Sequence, residues 1–575
     1  MASYALLGDC HSAALVSSGG SIDWWCAPRF DSRSAFARLL DPDAGHWSIR
    51  PAGAFDAERE YVPGTMVVQT TFRTATGVAV LTDALALEPG ARGHDLGVRS
   101  PHALVRGFDV VEGSVAVEIE FAPRLEYGLV VPRLVEVEAG LRTVGGPDGL
   151  RLTSETALTI DAGTARGEVV VEHGAALHFV LQHGSGLDPT FAGPPDGKRA
   201  LEDAIEAWRS WAELHDSYDG AYRAEVHRSG IVLRALTYVP SGAVVAAPTT
   251  SLPEVLGGDL NWDYRYVWLR DASLTLKALW VAACPDEAEH YFGWMARAAG
   301  GYGDGHVQVM FGVEGERDLT EHELEHLAGY RGSAPVRVGN DAWTQTQLDV
   351  YGEVLEAAWF LRDQLEEPAP ETARFLCELA NTAAARWRET DAGIWEGREG
   401  ERHYLSSKLL CWVALDRAVK LAGRLGTDAR PEVWAAERDA VSQEILEQGW
   451  NEDLGAYTGA FGSNQLDASA LLLSVMGFTP APEQRLRRTI DTIERELAAD
   501  GLVRRWTDAK DGAFFICSFW LANALARGDE AERARAVFDA AIAHANDVGL
   551  LSEELDLERQ ELIGNFPQTF SHVGL

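Results

Sequence analysis

A chain of 575 residues is longer than one small core requires, and its 46% apolar content excludes an intrinsically disordered polypeptide. Acidic residues outnumber Lys plus Arg by 87 to 50, a formal charge of −37 that argues against nucleic acid and anionic membrane surfaces as partners and suits a neutral substrate. Six scattered cysteines (Cys10, Cys26, Cys284, Cys377, Cys411, Cys517) form no CxxC pair and read as buried free thiols in a reducing compartment.

The N-terminus lacks a basic segment followed by a long apolar core, and no apolar run is long enough to span a bilayer, so a soluble cytoplasmic protein is expected. Residues 1–195 carry runs of period two, among them Val115, Val117, Ile119 and Phe121 alternating with Ala116, Glu118 and Glu120. Gly, Pro and Asp separate these runs, which predicts a large antiparallel β-sandwich. The aromatic segment 21–31, with Trp24 and Trp25, fits either a cleft lining or a domain interface. The cluster 192–197 (Ala-Gly-Pro-Pro-Asp-Gly) marks the boundary, followed by a helical linker over 196–219.

From 220 to 575 helical periodicity takes over, as in Leu348, Tyr351, Leu355 and Trp359, or Leu405, Leu409, Trp412, Leu415 and Val419. About a dozen such segments predict either a closed toroid of helix pairs with a central pocket or an open solenoid, and no fixed repeat period favours the solenoid.

Within this part the stretch 261–273 is the densest in chemistry, with Trp262, Trp268, Tyr264, Tyr266, Arg265, Arg270, Asp263 and Asp271. Aromatic rings cover the C–H faces of a sugar and charged groups bind its hydroxyls; the alternative is an Arg–Asp pair that only braces a helix start. His322, Glu323 and His326 fit the HExxH pattern of zinc sites, but they lie in a charged run that reads as solvated, with no third ligand in view, so no metal is expected. The turn 329–340 offers two arginines, Arg331 and Arg337, to a pocket or to a structural turn.

Two acidic loops follow. Glu396 stands beside Trp395, where an apolar setting would raise its pKa and make it a general acid; the alternative is an exposed loop acid among charged neighbours. At 550–556, Glu553, Glu554 and Asp556 follow two leucines, and one of them suits a general base if that loop faces the same pocket. Two carboxyls on opposite sides of a sugar are what glycosidic cleavage needs. No phosphate-binding loop or dinucleotide fingerprint is seen, and no cofactor is expected.

Several of these stretches, in order, resemble the family 15 glycoside hydrolases, which include glucoamylases and trehalases: 4–9, 21–24, 261–273, 329–340, 404–407 and 564–572. The resemblance implies an N-terminal β-sandwich, a catalytic (α/α)6 barrel, and hydrolysis of terminal α-glucosides with inversion. It implies that Glu396, after Trp395, is the general acid, and that Glu553, directly after Ser552, is the base in preference to Glu554. Trp268, Arg270 and Asp271 would grip the terminal glucose, with Tyr264 as its platform and Arg337 facing the same subsite. This chain departs from fungal glucoamylases at Gly397, where they carry a second acid, and at Tyr330 and Arg331, where they carry Trp. Both departures fall near the leaving group, so linkage is left open. The expectation is a glucoamylase-type exo-hydrolase acting on α-linked gluco-oligosaccharides, with α,α-trehalase as the alternative and a non-catalytic glucan-binding protein as the more distant one. No starch-binding module is visible, so granular starch is not an expected substrate. A homo-oligomer built on the sandwich is open.

Overall fold

The computed structural model describes residues 1–186, 191, 196–282, 284–300, 307–363, 368–398, 400–479 and 482–575. The period-two pattern does its work in the long strand Ala103–Ala122, where Val115, Val117, Ile119 and Phe121 are buried. Its first half pairs antiparallel with Ala176–Ser185 and Gly77–Leu85, and its second half with Thr164–Glu172 and His46–Pro51. One strand thus serves both layers of the sandwich. The change of partners along this continuous strand falls at Gly113: its φ is +67°, and a Cβ there would lie 2.1 Å from the Thr76 carbonyl oxygen. The N-terminal strands Tyr4–Gly8, Ala13–Ser17 and Ser21–Cys26 extend one side, and Asp148–Ser154, Gly140–Val144 and Arg133–Val137 extend the other.

Helix α1 (Gly197–Leu214) starts at Asp196, whose side chain accepts a hydrogen bond from the Arg199 amide. Its Ala200, Leu201 and Ala204 pack on Val62, Val67, Ala103 and Val105, so this helix covers an outer face of the sandwich as well as connecting. Of the boundary cluster, residues 192–195 lie outside the described residues.

The helical part runs through α2 (Arg223–Ala235), α3 (Ala272–Val281), α4 (Pro285–Ala299), α5 (Val350–Phe360), α6 (Pro370–Arg386), α7 (Leu405–Leu421), α8 (Pro431–Gln448), α9 (Leu472–Val475), α10 (Glu483–Leu497), α11 (Phe515–Arg527), α12 (Ala531–Ile542) and α13 (Thr569–Gly574). Packing runs α3–α5–α7–α9–α11–α13 and returns from α13 to α3, which closes the ring and makes it an (α/α)6 barrel rather than a solenoid. Inner helices are buried nearly all round: every described residue from Val350 to Ala358 of α5 is buried, whereas α10 carries a charged outer face with only five buried positions. No described helix is long and apolar enough to cross a membrane.

The aromatic segment near the N-terminus belongs to the interface between sandwich and barrel. Trp24 and Trp25 are fully buried, and the Trp24 indole donates to the Pro248 carbonyl at 2.8 Å. All six cysteines are buried and unbridged.

Candidate active site

The stretch 261–273 resolves into two Arg–Asp pairs with different jobs. Asp263 holds Arg265 through two hydrogen bonds, Nε to Oδ1 at 2.9 Å and Nη2 to Oδ2 at 2.6 Å. Arg265 then reaches the Ser32 carbonyl at 2.9 Å and the Tyr127 hydroxyl at 2.7 Å. That pair is a brace against the sandwich. Arg270 and Asp271, at the entry to α3, instead line a hollow among the barrel's loops. Tyr264 and Trp268 line it too, their rings edge to face at 5.4 Å. Burial pushes the Asp271 carboxyl up to about 6 against the pull of Arg270, with the Glu396 charge adding to the rise.

Glu396 enters this hollow from the loop after α6. Its backbone is left-handed, φ 56°, which a side chain with a Cβ adopts only where its surroundings enforce it. The enforcing contacts converge on one oxygen: Oε1 accepts from the Trp268 indole at 2.6 Å, from Arg270 Nη1 at 3.0 Å and from Gln347 Nε2 at 3.5 Å. Among the described residues no hydrogen bond is made by Oε2. The sequence reading placed Glu396 against an apolar Trp wall. The structure surrounds it with donors instead, and Trp395 turns its indole N–H to Asp467 at 3.0 Å while keeping a place in the lining.

Glu553 approaches from the loop before the short strand Glu554–Asp556 and lines the same hollow. Oε1 accepts from the Tyr264 hydroxyl at 2.8 Å and from Gln568 Nε2 at 3.2 Å. Gly564 makes room for it: its φ is +75°, and a Cβ would stand 2.7 Å from Glu553 Oε2. Burial, then the nearby Glu254 carboxylate, raises the Glu553 pKa well above the ordinary range, with Arg505 opposing. Glu554 points elsewhere, accepting from the Gly512 amide at 2.8 Å, and does not line the hollow.

Of the eight site residues expected from sequence, Tyr264, Trp268, Arg270, Asp271, Trp395, Glu396 and Glu553 meet around one hollow. Arg337 does not. Its guanidinium is taken by the Asp259 and Asn261 carbonyls at 2.9 and 3.0 Å and by Glu321 at 3.1 Å, and it lies over the Trp262 ring at 4.5 Å. The His322–Glu323 pair of the HExxH pattern is exposed on a short strand against Arg337–Val338, so its histidines do not share a helix face. His326 contacts the Tyr127 carbonyl at 2.9 Å.

Sequence reasoning missed Arg505, Glu254 and Gln568. Arg505 lines the hollow, stacks over Trp395, Trp506 and Phe514 at 5.7, 4.9 and 5.3 Å, and gathers Glu254, Asp511 and Glu554. Those three carboxylates have the spacing of a cation site, but the guanidinium occupies their centre. Gln568 sits in the stretch 564–572, quoted above for its resemblance without a role.

Residues 220–575 match the profile of Glycosyl hydrolases family 15. The chain belongs to this family. Residues 1–204 match a second profile, Trehalase-like, N-terminal. Over its whole length the chain is 37% identical to a Mycolicibacterium smegmatis protein named Trehalase, covering 90% of it, and 36% identical to a Mycobacterium tuberculosis protein of the same name, covering 88%. Among solved structures, a bacterial glucoamylase in complex with acarbose superposes with a TM-score of 0.73 at 13% identity, over 99% of this chain and 92% of that one. The family 15 assignment makes the protein a glycoside hydrolase, and the superposition confirms the sandwich-plus-barrel fold.

For a family 15 hydrolase the setting of Glu553 has a kinetic consequence. If Glu553 serves as the base, its raised pKa removes the ionised form early on acidification, and the acidic limb of kcat/KM should lie above the range of a free glutamate. Glu254→Gln removes the carboxylate that raises it and frees Arg505 to act on Glu553. The limb is then expected to move to lower pH, read from rate–pH profiles of both proteins. An unmoved limb would mean that Glu254 does not set the titration of this site.

Proposed function

We propose that the protein is an inverting α,α-trehalase, with Glu396 as general acid and Glu553 as general base. The observation that carries the substrate is full-length likeness, at 30–37% identity, to relatives named trehalase in bacteria and archaea. It turns the sequence-based preference for a glucoamylase-type exo-hydrolase toward what had been its alternative. The glucoamylase superposition speaks to fold only. The six unbridged buried cysteines support action in a reducing, cytoplasmic compartment.

The geometry supports the chemistry as follows. One glucose ring lies against Tyr264 and Trp268, with Arg270 and Asp271 on its hydroxyls. Glu553 takes a proton from a water that attacks the anomeric carbon. Glu396 gives the proton on Oε2 to the glycosidic oxygen on the opposite side, and the second glucose leaves. Burial and the Glu254 carboxylate hold the Glu553 pKa up in the free protein, and Arg505 opposes them, favouring the carboxylate that the base role needs. Inversion requires the two carboxyl groups roughly 6.5–9.5 Å apart, with room for the water.

Anomer-resolved NMR on trehalose, maltose and isomaltose tests the reading. Trehalose hydrolysed with inversion gives one β-glucose from the attacked ring and one α-glucose from the leaving ring before mutarotation. Two α-glucose molecules would mean retention. Turnover of maltose or isomaltose without turnover of trehalose would restore the glucoamylase-type reading.

A further inference from the structure

Away from the hollow, three side chains from three parts of the chain converge. His94 lies on the turn Gly93–Asp95 of the sandwich, His215 caps the C-terminus of α1, and Glu287 sits in the first turn of α4. One ligand atom from each lies within 4.8 Å of the other two. None lines the catalytic hollow.

The hydrogen bonds fix which atoms face inward. His215 Nδ1 is 2.7 Å from the Trp211 carbonyl, which only accepts, so Nδ1 carries the proton and Nε2 presents a lone pair. Opposite it at 3.6 Å stands Glu287 Oε2, on a side chain only 3% exposed, with no hydrogen-bond partner. The other oxygen, Oε1, is satisfied by the Trp211 indole at 2.9 Å and by Arg234 at 3.2 Å. Two acceptors therefore face each other across a gap that calls for a cation.

The 3.6 Å between His215 Nε2 and Glu287 Oε2 is close to the separation of two ligands on one ion. Nitrogen and oxygen ligands at about 2.0–2.2 Å, held at a tetrahedral angle, stand about 3.4 Å apart. His94, half exposed, approaches with its ring nearly perpendicular to that of His215, at 89° and 5.5 Å. Its Nδ1 is 3.4 Å from the Asp286 carboxylate. The Trp211 carbonyl thus stands where an outer-shell acceptor stands at a metal-bound histidine, orienting His215 so that its Nε2 is the ligand, and Asp286 lies beside the His94 ring. Two carboxylates against the single Arg234 guanidinium leave the local field negative.

We propose that His94, His215 and Glu287 form a binding site for a divalent ion of the zinc class, which pins the sandwich turn and α1 to the barrel at α4. The donor set, two imidazoles and a carboxylate, suits zinc rather than magnesium or calcium. The site does not depend on the trehalase reading.

The test uses the full-length protein after chelator treatment and dialysis, titrated with Zn²⁺ by calorimetry and with Co²⁺ as a visible-absorbing probe, beside His94→Ala. His94 is half exposed, so its replacement leaves the core untouched. Expected for the wild type are one equivalent of zinc, the intense d–d bands of low-coordinate cobalt, a rise in Tm on zinc addition, and loss of binding as pH falls through the histidine range. Expected for His94→Ala are an affinity lower by more than about 100-fold, no zinc-dependent rise in Tm, and unchanged hydrolysis. Failure of the wild type to bind either ion, or equal affinity in His94→Ala, overturns the proposal.

Discussion

Glu396→Gln is expected to lower kcat on trehalose by about 10²–10⁴-fold, the usual contribution of a positioned general acid. The amide keeps an oxygen for the Trp268 indole and Arg270, so the bonds to Oε1 at 2.6 and 3.0 Å have a replacement acceptor. Only the proton on the other position is lost. The fold should survive at a cost within about 2 kcal/mol, since the acceptor for Trp268 and Arg270 is kept. A substrate whose leaving group needs no proton separates this from general damage. On α-glucosyl fluoride the variant should recover most of its turnover, because fluoride departs without a general acid. Near-normal hydrolysis of trehalose by the variant would remove Glu396 from the mechanism.

The complementary result is expected at the other carboxyl. Glu553→Ala should lose turnover by a similar factor on trehalose and on α-glucosyl fluoride alike, since both need an activated water. It should also leave Tyr264 and Gln568 without their shared acceptor, so KM and kcat change together. Azide is nucleophilic without a base. Added to the variant it is expected to restore cleavage of the fluoride and to give β-glucosyl azide, the inverted product. The α-anomer as product would contradict a base on the far side of the ring. Full activity without azide would remove Glu553 from the mechanism.

Legibility of the site in the sequence followed locality. Tyr264, Trp268, Arg270 and Asp271 stand within eight positions and supply one wall of the hollow, so a dense local signal marked residues that the fold keeps together. Glu396 and Glu553 were found through short motifs, but that they face one cavity depends on the closed ring of inner helices, which periodicity alone left undecided. The electrostatic setting was not legible. Arg505 and Glu254 are 251 positions apart and meet only in the folded barrel, and their opposed charges act on Glu553 beside its burial. Arg337 is the reverse case, a residue expected at the site that does not line the hollow. A Gly- and Pro-rich turn with an arginine resembles a binding loop, yet the carbonyls of Asp259 and Asn261 fill its donors, and nothing in the turn itself announces them. The long strand Ala103–Ala122 was half read: alternation named its buried face, while its switch between layers rests on Gly113.

The left-handed backbone at Glu396 also bears on how this position tolerates change. In a saturation library at that codon, folded clones should be enriched in glycine, asparagine and aspartate, which enter that region of φ/ψ readily, and depleted in valine and isoleucine, whose branching at Cβ resists it. Expression yield would then rank the variants by backbone fit and hydrolysis by proton donation, so the two scores would diverge most sharply at glycine.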